Sequence, residues 1–285
     1  MERAPARIVE THVSTLFFLG ERVYKLKKPV SLGFLDFSTR EARRATCHRE
    51  VELNRRLAPD VYLGVADVIG TDGQPCDHLV VMRRMPDDRR LEAMVTAGEP
   101  VDAELRAVAR AVAVFHTHCA TSEEIAAAGA APAVQALWDA NVAGLRPFVD
   151  TLLDADLEHR VEERVRRFLA GRAPLLAQRI ADGRVRDGHG DLLAADIFCL
   201  PDGPRILDCV EFDDRLRHAD VVADVAFLAM DLERLGRLDL ARRFLEHYRE
   251  FSGDTFPASL AHHYIAYRAH VRAKVACLRH EQGDG

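Results

Sequence analysis

Between Ile8 and Lys27 the chain alternates short apolar runs with polar punctuation: Ile8-Val9, then Leu16 to Leu19, a Gly20-Glu21 turn, and Val23 to Lys27. Runs of this length bounded by turn residues predict three strands. In the third, the period of two puts Val23, Lys25 and Lys27 on one face and Tyr24 and Leu26 on the other. Ser38-Thr39-Arg40-Glu41 has the form of a capping box and predicts a helix running to about Leu57, where Ala58-Pro59 stops it. Two further strands are expected over residues 61–69 and 78–82, on either side of Thr71-Asp72-Gly73. Beyond Pro86 the apolar period lengthens toward 3.6, which predicts helices over residues 102–118, 123–128, 133–149, 156–169 and 220–235. The 123–128 helix is expected to open on a second capping box, Thr121-x-x-Glu124, and the run AAAGAAPA at residues 126–133 reads as a flexible linker. A final helix carries Leu260, Tyr264, Tyr267, Val271, Val275 and Leu278 as a core-facing stripe. A strand-rich first part followed by a helical remainder defines an α+β chain.

Composition narrows this picture. The 285 residues are 48% apolar and 29% charged, as in a soluble globular protein. No run of about eighteen apolar residues occurs, and MERAPARIVE lacks the apolar stretch of a signal peptide, so a cytoplasmic protein with no membrane partner is expected. Six scattered cysteines without a CxxC argue against a zinc site or a disulfide framework. The net charge of −6 gives no basic footprint for nucleic acid. Residues 1–86 carry 14 Lys and Arg against 11 Asp and Glu, a surplus of three positive charges, which leaves −9 for the remainder. That asymmetry suits a nucleotide-binding first part and a second part accepting a cationic small molecule; a solvated acidic surface explains it equally well.

The chemistry concentrates in HGDLLAADIFCLPDGPRILDCVEFDD, residues 189–214. Two short apolar segments, 197–200 and 205–207, flank Pro201-Asp202-Gly203-Pro204, which predicts a β-hairpin. The hairpin would return Asp208 to Asp191 and Asp196. Three converging carboxylates repel and require a cation, and magnesium held by one or two carboxylates plus substrate phosphates is how phosphoryl-transfer sites are commonly built. An Asp with a metal-binding side chain five residues on, and a second metal-binding Asp at a distance, is also the spacing of a kinase catalytic loop. His116 and His118, two apart on a helix, face different ways and read as packing or surface residues.

At these residues the chain resembles the aminoglycoside phosphotransferase family of kinase-like enzymes, whose catalytic loop reads H-G-D-x-x-x-x-N. More closely it resembles a bacterial branch in which the kinase-like domain is often joined to a P-loop ATPase domain. The segments that carry this are THVSTLFFLGERVYKLKKPVSLGFLDFSTREARR, EVELNRRLAPDVYLGV, HGDLLAAD, ILDCVEFDDRLR and DVAFLAMDLE. The resemblance implies a protein-kinase-like, two-lobed fold: a small antiparallel-sheet lobe over residues 1–86 and a larger helical lobe over residues 87–285. It implies ATP and Mg2+ as cofactors and transfer of the γ-phosphate to a small-molecule hydroxyl, on an amino sugar or aminoglycoside. Asp191 would be the base, Asp196 and Asp208 the metal ligands, and Lys25 the phosphate-binding lysine, paired with Glu50. Lys25 is preferred to Lys27 because β-branched Val23 stands two residues before it, and Lys27, next to Lys28-Pro29 at the strand end, is expected to reach solvent. Ser14 and Thr15 stand where a glycine-rich loop would cover the phosphates, and backbone groups near Arg83 and Met85 would seat the adenine. Asp224 would hydrogen-bond the catalytic-loop backbone. The family's Asn is Asp196 here, which motivates a second reading, a nucleotide-binding regulatory module with little turnover. No GxxxxGK[ST] occurs in these 285 residues, so a P-loop ATPase would be a separate partner.

Overall fold

In the computed structural model, residues 7–11, 13–31 and 35–281 are described. The first strands are β1 (Arg7–Glu10), β2 (Ser14–Leu19) and β3 (Arg22–Lys27), followed by helix α1 (Arg40–Asn54) and by β4 (Tyr62–Ile69) and β5 (Pro75–Arg83). They form one antiparallel sheet in the order β1-β2-β3-β5-β4. In this register Lys25 lies between Leu16 of β2 and Val80 of β5, so β3 is an interior strand. Helix α1 packs on β4 and β5, and Cys47 and Val51 meet Val23, Val61, Tyr62 and Val80 in the core between helix and sheet.

The remaining helices before the hairpin are α2 (Leu91–Thr96), α3 (Asp102–His118), α4 (Glu123–Ala127), α5 (Ala131–Leu145), α6 (Ala155–Ala170) and α7 (Ala173–Ala181). Then come β6 (Val185–Asp187), β7 (Ile197–Leu200), β8 (Gly203–Ile206) and β9 (His218–Asp220), and helices α8 (Val221–Arg234), α9 (Leu238–Ser252) and α10 (Ala258–Glu281). Strands β7 and β8 pair as the expected hairpin, from Ile197 opposite Ile206 to Leu200 opposite Gly203. Among the described residues no helix is long and apolar enough to cross a membrane.

The chain divides into two compact units: residues 1–111 with 191–214, and residues 112–190 with 215–285. Residues 87–111 and the hairpin therefore group with the sheet, a division different from the boundary expected at Pro86. The cause is local. The Arg89 guanidinium donates to the Cys199 carbonyl at 2.8 Å, and Arg90 bridges to Phe198 of β7 and lies over its ring, 4.7 Å from the centroid. In the second unit, α8 is buried from Val221 to Leu232 and is flanked by α9 and α10, whose Phe244, Tyr248 and Leu260 have no exposure. Arg179 ties that unit together through two-pronged pairs with Asp220 and Asp254 at 2.6–2.8 Å.

Three local expectations are corrected. The N-cap of α1 is Thr39, whose hydroxyl accepts from the Ala42 N–H, while the Ser38 N–H donates to Asp36. The N-cap of α4 is Ser122, accepting from the Ile125 N–H. In each case two adjacent hydroxyl residues compete, and the one three residues before a well-placed N–H wins. The AAAGAAPA run is not a linker: it forms the end of α4, one turn and the start of α5 with Pro132 in its first turn. Gly129 there packs so tightly that a Cβ would come within 2.3 Å of Val185.

Candidate active site

Alternation along β3 and a helical face of α1 bring five charged side chains into one row. Glu50 occupies the face of α1 that also carries Cys47, Val51 and Asn54, so its carboxylate is buried, with no exposed surface. Its Oε1 lies 2.9 Å from Lys25 Nζ and its Oε2 2.7 Å from Lys27 Nζ. Lys25 Nζ reaches Asp208 Oδ1 at 2.7 Å, and Lys27 Nζ reaches Glu211 Oε1 at 2.5 Å. The order is Asp208, Lys25, Glu50, Lys27, Glu211: three carboxylates alternating with two ammoniums. Burial opposes the charge on Lys25, yet Asp208, Glu50 and Glu211 outweigh it and hold that ammonium well above the ordinary lysine value. Burial likewise opposes the charge on Glu50, and the two lysines overcome it, keeping the carboxyl below its usual range. At Glu211 burial wins over Lys27 and pushes the carboxyl up.

The hairpin places Asp208. Its main chain sits at φ +65, a left-handed turn that an Asp tolerates better than most residues. The Asp208 N–H donates to the Tyr62 hydroxyl at 3.3 Å, and the next N–H, of Cys209, donates to Asn54 Oδ1 at 2.9 Å. Asn54 in turn donates to the Glu50 carbonyl at 2.9 Å, so one buried amide ties α1 to the end of the hairpin. At the other end, the Asp196 carbonyl accepts from the Leu207 N–H at 3.0 Å, and Arg90 donates to the Ala195 carbonyl. Burial, then the negative charges of Asp208 and Asp191, push the Asp196 carboxyl well above the usual range, with Arg90 and Lys25 acting the other way. Among the described residues, however, no three His, Cys, Asp or Glu side chains are grouped so as to hold a metal ion. Asp196→Asn removes the like charge, and the variant is expected to match or exceed the parent in stability at pH 7.5. Urea unfolding checks this: a loss above about 1 kcal/mol, a typical net hydrogen-bond contribution, contradicts it.

In the second unit, the chain just before Asp191 is held by Asp224. The His189 N–H donates to Asp224 Oδ2 at 2.7 Å and the Gly190 N–H to Oδ1 at 2.8 Å, the arrangement expected of this Asp. His116 stands 3.1 Å from the same carboxylate through Nε2, and its Nδ1 lies 2.8 Å from the Tyr248 hydroxyl. Burial works against the Asp224 charge, but the His116 hydrogen bond and charge and the His189 N–H prevail, holding the carboxyl far below its ordinary value. Its contribution to stability is thus present above the unfolded value near 3.9 and is lost as pH falls toward the folded value. His116 is a working member of this hub rather than simple packing; His118 is exposed. Gly188 leaves room for the hub, since a Cβ there would lie 2.6 Å from Asp224 Oδ2. Gly188→Ala is expected to cost roughly 1–3 kcal/mol in urea unfolding, the range for overpacking, because the carboxylate is held and cannot yield. A change below about 0.5 kcal/mol means the loop relaxes freely.

The remaining expected residues lie as follows. Ser14 and Thr15 open β2 opposite Lys27 and Leu26; Ser14 is fully buried and its hydroxyl has no hydrogen-bond partner among the described residues. Part of the same turn, His12, lies outside the described residues. The Arg83 N–H donates to the Val61 carbonyl and that of Arg84 to Glu21, both at 2.8 Å, while Met85 is buried in the sheet core. Lys27 corrects an expectation: it does not reach solvent but is 1% exposed, with its ammonium 5.1 Å from the Phe37 ring centroid. Glu211, Arg90, Asn54 and Tyr62 were not singled out by sequence reasoning. The available signal for Glu211 was an acidic residue inside the apolar run Cys209-Val210-Glu211-Phe212. His116 continues the buried stripe of Leu105, Ala109 and Val112.

This architecture is the protein-kinase-like fold of the aminoglycoside phosphotransferases. The structure matches the GDP complex of wild-type aminoglycoside 2'-phosphotransferase-IIIa with a TM-score of 0.55 and 15% identity, covering 100% of this chain and 88% of that one. It matches a choline/ethanolamine kinase family protein from Mesorhizobium loti with a TM-score of 0.54 and 13% identity, covering 99% and 81%. In sequence the chain is 48% identical over 274 residues to the uncharacterized proteins Rv2004c of Mycobacterium tuberculosis and Mb2027c of Mycobacterium bovis. The match takes in 96% of this chain and 55% of each relative, so the chain spans about half the length of these curated relatives. No family model matches the chain.

Proposed function

We propose that this protein is an ATP-dependent phosphotransferase that moves the γ-phosphate to a hydroxyl group of a small molecule. The observation that carries the reading is the bond pattern of Lys25, whose ammonium is shared between buried Glu50 and partly exposed Asp208. A lysine fixed by a helix carboxylate and directed at a metal-binding Asp is the arrangement that orients nucleotide phosphates in kinase sites. The neighbours solved with GDP are consistent with nucleotide binding here.

Among the described residues no three His, Cys, Asp or Glu side chains form a ready metal cage. Mg2+ is commonly held by one or two carboxylates together with substrate phosphates. The donor set fits: the Asp208 carboxylate is about half exposed, and Asp208 and Asp196 offer the hard oxygen donors that Mg2+ takes. Asp208 and Asp196 would hold the ion, which supplies charge neutralisation on the transferring phosphoryl group. Lys25 orients the phosphates, and Glu50 fixes Lys25. Asp191 accepts the proton of the acceptor hydroxyl as its oxygen bonds to the γ-phosphorus and the bond to ADP breaks. The acidic balance beyond residue 86 favours an acceptor bearing an amine.

Titration calorimetry with ATP, with and without magnesium, tests the reading. The parent is expected to bind ATP more tightly with magnesium, and Asp208→Ala to lose that dependence. Failure of the parent to bind ATP under either condition would overturn the proposal.

A further inference from the structure

We infer that Lys27 and Glu211 are a positioning pair, which fixes the Glu50 carboxylate so that it presents a single oxygen to Lys25. The inference rests on the phosphotransferase reading for its consequence but on the charged row for its geometry.

A buried carboxylate facing one ammonium alone is free to offer it either oxygen, since an ammonium acts as a point charge without a preferred fork geometry. Here that is prevented, because Glu50 Oε2 is taken by Lys27 at 2.7 Å and only Oε1 remains for Lys25, at 2.9 Å. Lys27 can perform this task because it has no other: its side chain has no exposure, and it is boxed in by Glu50, Glu211 and the Phe37 ring. Glu211, with a side chain 9% exposed, anchors Lys27 from the far side at 2.5 Å. Of the two lysines only Lys25 reaches solvent, at 13% exposure. Its ammonium donates to Asp208 and is ion-paired with Glu50 Oε1, and with three donors on an ammonium it keeps a hydrogen for a ligand. Stability alone does not account for the inner pair, because replacing a buried ion pair by apolar residues of similar volume is often neutral or stabilising. What the pair adds is a fixed orientation for Glu50.

The test uses the full chain with Lys27→Met and Glu211→Leu combined, which removes both charges and leaves Glu50 with Lys25. Two quantities are read: Mg–ADP affinity by calorimetry, and the Lys25 ammonium signal in NMR spectra of protein carrying 15N-lysine. The expected result is a folded variant that binds Mg–ADP at least about tenfold more weakly and whose Lys25 signal shifts or broadens, while Lys27→Arg stays within about threefold of the parent. If the double variant does not fold, Glu211→Gln, which leaves Lys27 on Glu50, is read in the same two ways. A folded variant with parental affinity and an unmoved Lys25 signal overturns the inference. If the parent itself fails to bind Mg–ADP, the phosphotransferase reading falls, and the Lys25 signal alone then decides the positioning role.

Discussion

Asp191→Asn is expected to lower phosphate transfer by roughly a thousandfold, within the 10²–10⁴ range for a positioned general base, and to leave Mg–ATP affinity within about threefold. The two effects separate because the carboxylate acts on the acceptor hydroxyl and not on the nucleotide. The loop should survive the change, since the preceding His189 and Gly190 N–H groups are bonded to Asp224. Relief of negative charge at Asp196, which Asp191 helps to push upward, should further favour folding. Initial rates with saturating nucleotide, alongside calorimetry, distinguish the outcomes. A variant that transfers phosphate at the parental rate removes Asp191 from the mechanism, whereas a parallel loss of nucleotide affinity would mean that it acts on the metal or the phosphates.

The largest loss of stability is expected from Lys27→Met, about 3–5 kcal/mol in urea unfolding, because removing one partner of a buried ionic group leaves uncompensated charge. Glu50 would keep Lys25, but Glu211 would face Glu50 with no ammonium between them. Adding Glu211→Leu should recover most of the loss. The sign of the pH effect follows from Glu211, whose carboxyl burial raises. Above the unfolded value of about 4.3 the folded chain retains a proton that the unfolded chain has released, so stability falls as pH rises through that window. Without Lys27 this becomes stronger, and the deficit of Lys27→Met should be larger at pH 8 than at pH 5.5. A deficit under about 1 kcal/mol at both would show that Lys27 is not a buried partner.

Much of the fold was legible because periodicity and turn chemistry are local. The β2–β3 register and the Pro201-Asp202-Gly203-Pro204 hairpin follow from patterns within about twenty residues. The α10 stripe holds only in part: Leu260 and Tyr264 are buried, but Tyr267, Val271, Val275 and Leu278 are half-buried, and His263, Arg268, His270 and Cys277 complete the buried face. The pairing of Lys25 with Glu50 was reached through resemblance, since Glu50 among Arg49, Glu52 and Arg55 has no local mark of burial. Lys27 was misread because a lysine beside Lys28-Pro29 has the signature of a strand end facing water. Its burial depends on Phe37 and on Glu211, the latter 184 positions away in sequence. The hub of Asp224, His116 and Tyr248 likewise joins α8, α3 and α9, and only the Asp224 member had a sequence precedent. Caps failed where Ser and Thr are adjacent, because propensity does not choose between neighbours.

The central claim is that γ-phosphate leaves ATP for a hydroxyl on a small molecule. The direct measurement is phosphorus NMR of the parent protein with Mg–ATP and a panel of hydroxyl compounds that includes amino sugars and aminoglycosides. The account predicts a new phosphomonoester signal with at least one acceptor, growing in step with ADP and absent with Asp191→Asn. ADP appearing only with inorganic phosphate, or bound ATP that is never consumed across the panel, would contradict it.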